Sequence, residues 1–135
     1  MSKKSYFAVA FAIMCILSLE AQDQVKIPSD ISMAFKAGNA TELAKFFNTT
    51  VEVSLLDKED FYKKNVAETI LKDFFNEYKT SDFVITHQGG STNDQKYAIG
   101  KLKTEKGDFR VYFLLKKVDQ ELLIHKISID PDNGK

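Results

Sequence analysis

The chain has one cysteine, no tryptophan, two prolines and two histidines in 135 residues. Cys15 lies in an apolar run near the start, so the chain beyond that run has no disulfide and no thiolate nucleophile, and packing must hold it together. Charge of one sign is lacking too. Lys plus Arg and Asp plus Glu are equal at 19 each, which leaves no basic excess for a phosphate backbone and no acidic excess for a basic partner, and argues against nucleic acid. Two distant histidines among scattered carboxylates do not make the ligand set of a metal site, and no cofactor is expected. The Gly89-Gly90 pair lacks the lysine and the helix that a phosphate loop places behind its glycines. No internal repeat is present, and the apolar run at residues 6–19 falls short of the about 20 residues that cross a bilayer.

That run has the layout of an export signal. Lys3 and Lys4 give a positive start, residues 6–19 carry no charge, and Ala21 is a small residue at a cleavage point. Residues 1–21 are therefore expected to be a signal peptide, and the mature protein to be periplasmic or secreted with no membrane contact. Ile13 and Met14 stand where a lipoprotein needs small residues before its cysteine. Residues 22–135 have room for one domain, and 44% hydrophobic with 28% charged residues is the composition of a chain that folds.

Pro28, Ser29 and Asp30 open a first helix with Ile31, Ala34 and Phe35 on one face, ended by Gly38. Asn39 and Glu42 have the spacing of a capping box, predicting a second short helix through Leu43, Phe46 and Phe47 to about Asn48. Val51, Val53 and Leu55 alternate with Glu52 and Ser54, the period of a half-covered strand. Residues 57–60 break that pattern, and Phe61 and Tyr62 suggest a brief extended return. Asn65 and Glu68 then open a long helix whose apolar stripe is Val66, Ile70, Leu71, Phe74, Phe75 and Tyr78. A strand at residues 83–86 runs out at the Gly89-Gly90 pair.

Residues 96–129 form the scaffold, an antiparallel meander rich in β-branched and aromatic residues. Phe109, Val111, Phe113 and Leu115 share its core face. A two-residue turn at Lys106 and Gly107 would set Val111 opposite Leu102 and Phe113 opposite Gly100. The space above that glycine then calls for a bulky side chain such as Phe74 or Phe75, or a ligand.

The order of helix, helix, strand, long helix and four strands resembles the nuclear transport factor 2-like (cystatin-like) α+β superfamily. Val51 to Leu56, Asn65 to Phe75, Tyr97-Ala98-Ile99-Gly100 and the run from Phe109 to Lys117 resemble the domain-of-unknown-function 4783 family of small secreted bacterial proteins. The resemblance implies a cone: two short helices and one long helix on a curved, mainly antiparallel sheet of four to six strands, with a cavity between. It implies no activity.

His87 is expected to be an exposed strand-end residue. His125 shares strand phase with Leu123, Ile127 and Ile129, which points it at an apolar face, as a hydrogen-bonded core or inter-subunit histidine or as an acid–base group. With Tyr97, Gly100 and Tyr78 it forms the set of pocket candidates. No catalytic set is complete. The expectation is a noncatalytic module binding a small apolar ligand or a protein partner; the alternatives are an enzyme using a cavity His/Tyr pair and a structural homodimer.

Overall fold

The structure is a computed structural model that describes residues 26–133; the expected export segment and Cys15 lie outside them. The elements in chain order are α1 (Ser29–Ala37), α2 (Ala40–Ala44), β1 (Phe47–Leu55), β2 (Lys58–Lys63), α3 (Lys64–Glu77), β3 (Thr80–Thr92), β4 (Gln95–Thr104), β5 (Gly107–Val118) and β6 (Glu121–Pro131). Gly38 ends α1 in the left-handed region at φ 64°, the conformation glycine adopts at least cost. Asn39 caps α2 by accepting from the Glu42 amide (3.1 Å). Glu42 does not reach back; it pairs with Lys45, and α2 stops at Ala44 because Phe47 already begins β1. The capping box expected at Asn65 does not form either, since α3 starts a residue earlier behind Lys63 with no side-chain cap.

Six strands make one sheet in the order β2-β1-β6-β5-β4-β3. Four neighbouring pairs are antiparallel and β1–β6 is parallel, so the sheet is mixed. The expected cone is not found. β2 and β3 stand at opposite ends and pair with each other nowhere, and the sheet is open instead of curled shut. Both edges carry the same device: Asp60 accepts a hydrogen bond from the Phe61 amide (2.8 Å) and Asp82 from the Phe83 amide (2.9 Å). Each carboxylate occupies a donor that an added strand would need, which blunts the edge.

Two hairpin turns carry no glycine signal. Leu56 and Asp57 sit at φ 49° and 73°, and Asp119 and Gln120 at 48° and 73°, the double positive φ of a type I′ turn. Hence β2 is a full strand starting at Lys58, where only a brief return was expected. The β4–β5 turn is Glu105 and Lys106, with Thr104 facing Gly107, so Gly100 lies opposite Val111 and Ala98 opposite Phe113. This moves the expected register by two residues and leaves every side chain on its predicted face.

Every buried side chain among the described residues is apolar. At the centre Phe35 of α1 stacks on Phe83 (ring centroids 4.8 Å) and Phe113 (5.7 Å), with Phe75 edge-on at 6.4 Å. The space above Gly100 is filled from the neighbouring strand: a Cβ there would run into the Phe83 ring. Phe74 packs elsewhere, edge-on to Phe109 at 5.2 Å. In urea unfolding, Phe35→Ala should lose about 3–5 kcal/mol. Gly100→Ala should lose about 1–3 kcal/mol through overpacking, although it adds one methyl.

Candidate functional site

The helices cover one face of the sheet, and beside its filled centre an opening lies toward the β2 side. There a cleft of about 360 Å³ lies between α3 and the β1–β2 hairpin. Val53, Leu55 and Leu56 line it from β1 and the turn, Tyr62 comes from β2, Ile70 and Phe74 come from α3, and Tyr78 follows the end of that helix. Alternation along β1 and β2 accounts for the strand contribution, because Val53, Leu55 and Tyr62 all point to the helix side. Lys58, Asp73 and Glu77 supply charge.

Of the four pocket candidates from the sequence, the structure puts Tyr78 in this cleft and separates Tyr97, Gly100 and His125 from it. Gly100 lies under the Phe83 ring. Tyr97 stands on the outer face of the sheet, away from the helices, with its ring over Gly89 and its hydroxyl 3.0 Å from His87 Nε2. Tyr112 stacks beside it at 6.1 Å. His125 is the extra residue of a bulge: Leu114 pairs with Lys126 and Leu115 with Ile124. The bulge breaks the period of two, so Ile124 enters the core and His125 does not. Its Nδ1 bonds the Leu123 carbonyl at 3.0 Å. The structure brings together one His/Tyr pair, His87 and Tyr97, and neither histidine lines the cleft.

The α3 stripe reads as core throughout in the sequence, yet only Ala67, Leu71, Phe74 and Phe75 are buried. Val66 is 43% exposed, and Ile70 is half-buried at the cleft. That excess width was the signal for the cleft. A second hollow of about 480 Å³ lies at the β2–α3 corner beside Thr50, Lys63 and Glu68.

The family model described as Domain of unknown function (DUF4783) matches residues 28–130. The chain belongs to the DUF4783 family. A DUF4783 family protein from Bacteroides ovatus is 36% identical, with a TM-score of 0.76 over 79% of this chain and 96% of its own. One from Bacteroides uniformis is 33% identical, with the same TM-score over 80% and 99%. A domain of unknown function with a cystatin-like fold from Nostoc punctiforme, 12% identical, shares the fold alone, with a TM-score of 0.62 over 77% of this chain and 72% of its own. No curated protein matches the chain. DUF4783 membership and likeness to nuclear transport factor 2-like folds thus describe architecture, and the chemistry has to be argued from the site.

On the outer face of this DUF4783 chain, Lys126 Nζ reaches Glu52 at 3.3 Å and Glu59 at 3.8 Å. The hydrogen bond from Glu59 holds the Glu52 carboxyl below its usual range, and the same bond, with repulsion from Glu52, makes Glu59 keep its proton to higher pH. The raised Glu59 favours the folded chain below the ordinary carboxyl range, and that contribution is lost as pH rises through the raised value; depressed Glu52 acts in the opposite sense. Glu59→Gln keeps a donor and removes the charge. It should melt higher than wild type near pH 7, with the difference fading toward about pH 4.

Proposed function

We propose that this is a noncatalytic binding module of an exported bacterial protein, and that the cleft between α3 and the β1–β2 hairpin receives an apolar group of its ligand. The observation that carries this reading is a preformed cleft of about 360 Å³, walled by Val53, Leu55, Ile70 and Phe74, in a fold whose centre is otherwise filled. A volume of that order suits a small apolar body or one large side chain. The export part rests on residues 1–21 and on relatives from Bacteroides. No helix among the described residues is long and apolar enough to cross a membrane.

A second reading uses the outer sheet face. Tyr97, Ile99, Tyr112 and Leu114 are cross-strand neighbours there, only half-buried, with Val84 52% exposed at the flank. A homodimer would cover them. Sedimentation equilibrium distinguishes the two, since Tyr112→Glu would split such a dimer and leave the cleft intact.

The cleft is tested with the fluorophore anilinonaphthalene sulfonate as an apolar probe. The folded protein should enhance its emission saturably. Ile70→Trp, which fills the cleft, should weaken that binding about tenfold or more, whereas Tyr112→Glu should not.

A further inference from the structure

We propose that the group occupying this cleft is a side chain of an extended polypeptide segment from another protein, which adds to the free edge of β2 as a seventh strand and carries a Lys or Arg two residues beyond its apolar anchor. The proposal rests on the binding reading above and names the partner.

The first observation is the edge itself. The Phe61 amide donates to Asp60, so it lies outside the β1–β2 ladder, in which Glu52 and Phe61 are opposite each other. By the alternation of antiparallel pairing, the amides and carbonyls of Glu59, Phe61 and Lys63 all point away from β1. The whole of β2 is exposed except half-buried Tyr62, and Phe61 is 67% exposed. Among the described residues β2 pairs with β1 alone. Its lock is a single side chain, since rotation of Asp60 frees the Phe61 amide.

The second observation is the flank of α3 beside that edge. Val66, Ile70, Asp73 and Glu77 follow each other at helical spacing on one side. Of the first two, Val66 is exposed and Ile70 half-buried. The last two are carboxylates four residues apart, which repel each other, and neither forms an ion pair with a described residue. A strand added to β2 would turn alternate side chains toward this flank, the helix-beside-edge arrangement of strand-addition recognition. An anchor at Ile70 is followed, two residues on, by a side chain about 7 Å further along the strand. Asp73 and Glu77 lie about 4.5 and 10.5 Å beyond Ile70 along the helix axis, so a cation there falls between the two carboxylates. A second copy of this chain fits less well. Two-fold pairing of β2 with β2 would set Asp73 and Glu77 of each copy against those of the other, and would offer Asp60 and Tyr62 to an apolar flank.

The test uses a fluorescein-labelled peptide, Thr-Val-Thr-Phe-Thr-Lys-Thr, with the full mature protein, followed by anisotropy. Three comparisons accompany it: the peptide N-methylated at alternate amides in each of the two phases, the peptide with Glu in place of Lys, and the Phe61→Pro and Asp73→Asn/Glu77→Gln proteins. Proline is tolerated at an edge amide outside the ladder, so Phe61→Pro should keep the fold by circular dichroism and keep anilinonaphthalene sulfonate binding. The expected result is saturable peptide binding, weakened about tenfold or more by Phe61→Pro and by one phase of N-methylation. The Lys-over-Glu preference should fall about fivefold or more in the double variant. If the fluorophore binds and the peptide does not, or if peptide binding survives both Phe61→Pro and N-methylation in either phase, the strand-addition proposal fails and the cleft remains a small-ligand site. Failure of both probes on folded protein defeats both readings. A dimer abolished by Phe61→Pro, with no peptide binding, assigns the edge to a second copy and overturns the proposal.

Discussion

The fold depends on one close approach. Gly100, in the middle of β4, has no side chain, and the Phe83 ring of the neighbouring strand lies over it. Phe35 stacks on that ring and on Phe113, so α1 is anchored to the sheet through three aromatic rings. A larger residue at Gly100 would lift Phe83, and the rings above it would have to follow, because close-packed interiors relax only in part. The same stack closes the space in which a ligand might otherwise sit between helix and sheet. The proposed binding site lies instead at the flank of α3, where Ile70 and Val66 of the apolar stripe are not fully buried.

Openness of the sheet is the second constraint. A six-stranded sheet whose edges are β2 and β3 must manage two rows of unpaired backbone groups. Here each edge spends an aspartate on the amide of the following phenylalanine. The two phenylalanines have opposite fates: Phe83 turns inward over Gly100, and Phe61 stays out in solvent. Phe83 thus ties β3 into the core, while the outward Phe61 amide of β2 is held by the Asp60 carboxylate. This asymmetry is why β2, and not β3, is argued to accept a partner.

Much of the fold was legible in the sequence because it is local. The three helices, the strand phase of Val51 and Val53, and the core face from Phe109 to Leu115 all follow from period and punctuation. What escaped was non-local or masked. The parallel pairing of β1 with β6 joins residues far apart in the chain, and no residue pattern announces it. The turn at Leu56-Asp57 adopts positive φ without glycine, so β2 was reduced to two residues. His125 was misplaced by a bulge, which adds one residue and exchanges the faces on either side. Of the candidate site, Tyr78 was legible as an edge aromatic. Ile70 and Val66 were not, because a stripe wider than its core looks in sequence like a stripe that is fully buried.

A filled centre and an open α3 flank together define where the proposed site lies. Methyl resonances provide the most direct measurement, with benzene added to uniformly labelled protein as a small apolar probe. The account predicts that the methyls of Ile70, Val53 and Leu55 shift saturably while those of Val111 and Ile127 stay in place. Shifts concentrated at Val111 and Ile127, or at Val84 and Leu114 on the outer face, would contradict it.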